Sequence, residues 1–236
     1  MKTKVVLFDL DGTLLPMDQD IFVKAYFKGI AIKLAPFGYE SDKLIKAIWA
    51  GTEAMIANNG EKTNEEVFWD YFETVFGEGS RKDEPKFAKF YEENFDDVSA
   101  VCGFDKRAKE VIDMIKEKGI RVALATNPIF PSIATRKRMK WAGLIESDFE
   151  LYTTYENSCY CKPNLKYYEE ILSGLGVKAS ECVMVGNDVD DDMVAAKLGI
   201  KTFLLTDNLI NKSSVDISQY PNGSFSELIN FVAALD

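Results

Sequence analysis

Five short apolar runs punctuate the chain: Val5–Phe8, Ile120–Ala125, Phe149–Tyr152, Cys182–Val185 and Lys201–Leu205. Each is rich in β-branched or aromatic residues and bounded by polar residues or glycine, which predicts short buried strands. Between the later runs the apolar positions recur at helical spacing. Asp105 can cap a helix carrying Ala108, Val111, Ile112 and Ile115, which Gly119 ends. Pro131 and Ser132 open a helix that runs through Met139 and Trp141 to Gly143. Another follows Lys162-Pro163 and reaches Leu172, a short one holds Ala195, Ala196 and Leu198 before Gly199, and a capping box from Ser224 to Glu227 starts a last amphipathic helix. Strands alternating with helices in this way predict an α/β fold with a parallel sheet and right-handed crossovers.

One stretch breaks the alternation. From Asp18 to about Phe95 the pattern is helical, with no strand. Ile21, Phe22, Ala25, Tyr26 and Ile30 share a face; Leu44, Ile45, Ile48 and Trp49 repeat the spacing; so do Val67, Phe68, Tyr71, Phe72, Val75 and Phe76, behind a capping box from Thr63 to Glu66. Phe87, Phe90 and Tyr91 mark a fourth helix. The expected organisation is a core made of residues 1–16 and 99–236, with an all-helical unit, 17–98, inserted into it. The aromatic stripes read as packing surfaces, although Tyr26, Trp49, Phe68 and Trp69 could equally touch a ligand.

Charge and composition narrow the function. Of the 236 residues, 28 are Lys or Arg and 38 are Asp or Glu, a formal net charge of −10. An acidic surface argues against nucleic-acid and membrane partners, which demand basic patches, but not against a small phosphorylated metabolite. No apolar run approaches the ~18 residues of a membrane span and no signal-peptide pattern is present, so the expected compartment is the cytoplasm. The four cysteines are read as thiols. Histidine is absent, which excludes serine–histidine and cysteine–histidine catalysis and every histidine-bound metal. Acid–base chemistry must fall to Asp, Glu, Lys or Tyr.

The predicted strands end in polar residues of definite kinds. The first gives Asp9 and Asp11, one residue apart and followed by Gly12-Thr13; the second gives Thr126 and Asn127; Lys162 follows the third; the fourth gives Gly186-Asn187-Asp188, with Asp190, Asp191 and Asp192 beyond. In a parallel sheet these points share one edge, where ligands bind. Each fragment alone could be a turn, a helix start or a solvated acidic loop. Together they supply a coherent chemistry. Asp9 is placed to attack phosphorus as an already ionised nucleophile. Asp11 could protonate the leaving oxygen and later take a proton from water, help worth roughly 10²–10⁴-fold. Mg²⁺ on Asp9, the Asp11 carbonyl and Asp188 would offset the repulsion between a carboxylate and a phosphoryl group. Lys162 adds a fixed positive charge, and Thr126 and Asn127 can donate hydrogen bonds to phosphoryl oxygens.

This constellation resembles the haloacid dehalogenase-like superfamily. The matching residues are Asp9-Leu10-Asp11-Gly12-Thr13, Thr126, Lys162, and Gly186-Asn187-Asp188 with Asp192. The resemblance implies a Rossmann-like three-layer core, Mg²⁺-dependent phosphoryl transfer through an aspartyl-phosphate, and a metal site formed by Asp9, Asp11, Asp188 and Asp192. An acid two positions after the nucleophile is the pattern of the family's phosphatases and phosphomutases, and its dehalogenases lack it. The helical insertion looks like the family's cap between its first two motifs, and the short gap from Asn127 to Lys162 leaves no room for the larger cap type. Many members have Gly-Asp where this chain has Gly186-Asn187, so the first acid of that motif falls one residue later. The expected activity is hydrolysis of a small phosphomonoester by a monomer or homodimer. The alternatives are a phosphomutase resembling β-phosphoglucomutase and a non-catalytic phospho-ligand binding protein.

Overall fold

A strand without a polar face must be covered on both sides. Val5–Phe8 (β1) has that character, and it is fully buried in the middle of a six-stranded parallel sheet. The computed structural model describes residues 2–236. The other strands are Arg121–Leu124 (β2), Leu151–Tyr152 (β3), Cys182–Gly186 (β4), Lys201–Leu205 (β5) and Asn222–Gly223 (β6), in the order β3-β2-β1-β4-β5-β6. β6 escapes sequence reading because two edge residues carry no periodicity; they pair with Leu204 and Leu205. Phe8 lies opposite Leu124 on one side and Val185 on the other, so the carboxyl ends of β1, β2 and β4 are level. The chain builds outward from β1 to β3 and then crosses to β4, which makes the β1–β4 boundary the switch point where a crevice opens.

The period of two along each strand sorts the two faces. Val6, Phe8, Val122, Leu124, Val183 and Val185 pack with Arg107–Glu117 (α5), Ser132–Trp141 (α6) and Phe225–Ala233 (α8). Val5, Leu7, Ala123 and Met184 pack with Leu165–Leu175 (α7) and the segment Met193–Leu198. The result is a three-layer α/β core. The short helix expected around Ala195 is a 3₁₀ segment, since six residues before Gly199 leave little length for an α-helix.

Four helices occupy the inserted stretch: Gln19–Leu34 (α1), Ser41–Ile56 (α2), Asn64–Phe76 (α3) and Glu84–Glu93 (α4). Thr63 and Glu66 form the expected capping box at the start of α3. The stripes meet in an aromatic core, with the Phe87 ring centroid 5.3 Å from those of both Trp69 and Phe72. Two stripe residues depart from expectation. Ile21 is 50% exposed, at the first turn of α1 beyond the packed face, and Trp49 is 48% exposed on α2.

Two of the places that tie these helices to the core lie at the junction and at the start of α3. Met17 pairs antiparallel with Cys102, and the Gly103 N–H donates to the Pro16 carbonyl at 2.7 Å where the chain leaves and re-enters. At the start of α3, buried Asn64 donates through Nδ2 to the Pro128 carbonyl (3.2 Å), while its N–H donates to the Ser158 carbonyl (2.9 Å). Among the described residues, all four cysteines are free thiols and no helix is long and apolar enough to cross a membrane.

Candidate active site

β1 ends at Phe8, but the Asp9 N–H still donates to the Val185 carbonyl (2.9 Å), so Asp9 leaves the sheet in a fixed direction. A tight turn follows, closed by Leu15 N–H to the Leu10 carbonyl (2.8 Å). Gly12 takes a φ of +83°, and a Cβ there would lie 2.3 Å from the Asn187 amide nitrogen, so both the turn and the neighbour require glycine. The turn brings Asp9 and Asp11 to one cavity of about 260 Å³, which Thr126, Asn127, Lys162, Asp188 and Asp192 also line. Every site residue expected from the sequence therefore faces the same space, at the switch point of the sheet.

Lys162 is the hub. Its Nζ donates to Asp9 Oδ1 (2.8 Å) and Asp192 Oδ1 (2.6 Å), and its side chain is 1% exposed. Burial works against its charge, but Asp192 and then Asp9 outweigh it and hold the ammonium well above its usual range. Burial pushes Asp192 up to about 7 against the pull of Lys162. A 2.6 Å contact away from water favours the charged pair, so we assign ammonium and carboxylate. Asn127 Oδ1 accepts the Lys162 backbone N–H (3.2 Å), which leaves its NH₂ group to donate.

Asp192 is held from two sides. Its Oδ2 accepts the Asp188 N–H (3.0 Å) while Oδ1 accepts from Lys162, so both oxygens are occupied inside the protein. It thereby fixes the lysine and the Asp188 turn. Asp188 uses Oδ1 to accept the N–H groups of Asp190 (2.8 Å) and Asp191 (3.0 Å), which shapes the acidic loop. Asn187, where relatives of the family pattern carry the acid, accepts from Thr13 Oγ1 (2.9 Å) and donates to the Asn208 carbonyl (2.7 Å).

Sequence reading missed Arg138. It lies on α6, 1% exposed, and its Nη1 donates to Asp11 Oδ2 in a close ion pair. The guanidinium also sits 4.5 Å over the Phe130 ring and donates from Nη2 to Thr135 Oγ1 (3.3 Å). The available signal was positional: Ala134, Thr135, Arg138 and Met139 form the buried face of α6, and an arginine there needs a buried anion. Asp11 Oδ1, the oxygen turned from Arg138, is buried without a partner. Burial raises the Asp11 pKa, Arg138 draws it back, Asp9 adds to the rise, and the net shift is upward. Lys212, also absent from the sequence reading, lines the cavity from the loop after β5.

The donor set suits a hard cation. Asp9, Asp11, Asp188, Asp190, Asp191 and Asp192 line the cavity against two lysines, and the Asp11 oxygen lacks a partner. No three Asp, Glu, Cys or His side chains converge as a preformed ligand group among the described residues. The acids leave a pH signature. Burial pushes Asp191 up to about 6, which Lys162 and Lys212 oppose and Asp188 and Asp9 reinforce. Between about pH 4 and 6 the folded chain keeps a proton that the unfolded chain releases, so stability falls as pH rises, by about 3 kcal/mol at 1.36 kcal/mol per pKa unit. A cation bound beside these acids would offset this loss. Melting with Mg²⁺ and with chelator should show a gain in Tm at about pH 7 that shrinks at about pH 5; equal gains would remove these carboxylates from the cation site.

Acids, a buried lysine and amide and hydroxyl donors at the switch point of a doubly wound sheet form the active site of a Rossmann-like protein. The profile of the haloacid dehalogenase-like hydrolases matches residues 3–208. The chain belongs to this family, as an enzyme of its phosphatase type. It is 26% identical over 230 residues to the glyceraldehyde 3-phosphate phosphatase of Methanothermobacter thermautotrophicus, covering 91% of this chain and 94% of that protein. The fold is similar to that of a HAD phosphatase from Thermococcus onnurineus (TM-score 0.61, 18% identity, 98% of each chain). It is also similar to a β-phosphoglucomutase-type protein from Thermotoga maritima (TM-score 0.60, 20% identity, 99% of this chain and 100% of that one).

Proposed function

We propose that the chain is a Mg²⁺-dependent phosphatase that hydrolyses a small phosphomonoester through an aspartyl-phosphate on Asp9. The observation that carries this reading is the placement of Asp9, Asp11 and Lys162 around one cavity at the switch point. An Asp9 oxygen attacks phosphorus and the ester P–O bond breaks. The departing oxygen takes a proton from Asp11, whose unpartnered Oδ1 and raised pKa suit it as the acid. Asp11 then takes a proton from water as that water attacks phosphorus, which frees phosphate and restores Asp9. Lys162 neutralises Asp9 while the phosphoryl group approaches, and Thr126 and Asn127 orient its oxygens. Asp9, the Asp11 carbonyl and Asp188 would hold the magnesium ion, which when bound offsets the charge of the phosphoryl group.

In this reading residues 17–98 act as the cap over the core formed by 1–16 and 99–236. The crossing of Met17 with Cys102 supports a junction there, a few residues past 98. Likeness to a β-phosphoglucomutase-type protein at 20% identity concerns the fold alone and does not favour transfer over hydrolysis. The test is phosphate release from a panel of small phosphomonoesters with Mg²⁺, then with excess chelator. Release that stops with chelator and returns with Mg²⁺ is the expected result; release indifferent to chelator would sink the metal assignment.

A further inference from the structure

A second cavity of about 280 Å³ opens beside the first, between the inserted helices and the loop after β2. The two share Gln19, Val23, Ile129, Phe130 and Lys212 as walls, so a substrate with its phosphoryl group at Asp9 projects its alcohol portion there. The walls are aromatic: Phe27 and Trp49 face each other at 5.3 Å between ring centroids, and Trp69 meets Phe68 and Phe87 at the same separation. Trp49 and Ile56, 48% and 43% exposed, line it from α2. Solvent-exposed aromatic and aliphatic surface at a cavity wall is the surface a ligand would cover.

Three polar side chains of this cavity are satisfied within the chain. The Tyr26 and Tyr91 hydroxyls bond each other (2.9 Å), and Thr52 Oγ1 donates to the Ile48 carbonyl (2.9 Å). Lys212 is the only charged side chain in its lining. The Trp69 indole N–H is directed at the Tyr155 hydroxyl, which also lines the cavity. A polyol entering here would bury its hydroxyls against mainly aromatic walls, with Gln19, Tyr155 and Lys212 as its polar partners, and a second phosphate would meet a single lysine. An aromatic ring would meet matching walls, and the volume exceeds the ~150 Å³ that accommodates benzene in an apolar protein cavity.

We propose that this cavity receives the leaving group, and that the substrate is the phosphomonoester of an aromatic alcohol, not of a sugar or polyol. The proposal rests on the phosphatase reading of the adjoining site. The test compares 2-phenylethyl phosphate with glycerol 1-phosphate and a hexose bisphosphate, since aliphatic leaving alcohols keep the chemical step comparable. The expected kcat/KM for the aromatic ester is about 10- to 100-fold higher, mainly through KM, as burial of one phenyl ring allows. In Trp49→Ala that ratio should fall several-fold. Equal or better turnover of the polyol ester or the bisphosphate overturns the proposal and leaves the phosphatase reading standing. If no ester releases phosphate, the phosphatase reading fails and the cavity is judged by binding. Saturable quenching of tryptophan fluorescence by 2-phenylethanol but not by glycerol would uphold an aromatic ligand, and its absence would overturn it.

Discussion

Asp9→Asn should release no measurable phosphate from any ester, a loss of about 10⁴-fold or more, while the protein folds and melts close to the parent. The amide removes the attacking oxygen and little else. Its carbonyl can still accept from Lys162, which keeps the Asp192 carboxylate at 2.6 Å as its counter-charge. The Thr13 hydroxyl, 3.3 Å from Asp9 Oδ2, also bonds Asn187 and does not depend on residue 9. A variant with parental turnover would exclude the covalent route. A variant that is inactive and unfolded would instead show that Asp9 and Lys162 form a structural pair, a result circular dichroism separates from the first.

Arg138→Met should give the largest loss of stability. It leaves the Asp11 carboxylate, itself largely buried, without a counter-charge, and breaking a buried pair from one side costs about 3–5 kcal/mol. For a chain of this size that corresponds to a fall in Tm of roughly 10 °C. The double variant with Asp11→Asn should regain part of the loss, because the stranded charge is then gone. Melting of the two singles and the double measures the coupling, and an Arg138→Met protein as stable as the parent would show that the pair contributes nothing. Activity should fall as well, by about 10²-fold, most for esters of poor leaving groups, since Arg138 holds the Oδ2 side of the acid and leaves Oδ1 to the substrate.

Much of this arrangement is legible along the chain because it follows from short-range rules. Buried parallel strands read as apolar runs, helices read as a period near 3.6 residues, and the capping boxes at Thr63 and Ser224 are three-residue relationships. The convergence of Asp9, Asp11, Thr126, Lys162 and Asp188 is long-range, yet it too was readable, because all strands of a parallel sheet end at one edge. Their types and order then indicated the chemistry.

Periodicity states that a position is buried and is silent about its neighbour. Ile21 and Trp49 belong to apolar stripes yet are half-exposed, because the end of α1 and the lining of a cavity exist only once helices pack. Asp192 carries the right charge at the right spacing, and only the folded loop shows its oxygens already occupied by Lys162 and the Asp188 N–H. Arg138, 127 residues from Asp11 along the chain, had no local motif to announce it. The sequence by itself determined a parallel sheet, the edge where its strands end and the acids and lysine that meet there, since each follows from chain direction and local pattern. The tertiary structure alone decided which carboxylate oxygens stay open, which arginine steadies the acid and what shape awaits the leaving group. Those depend on contacts between elements distant in sequence, where the free energy of a charge or a ring is set by what surrounds it.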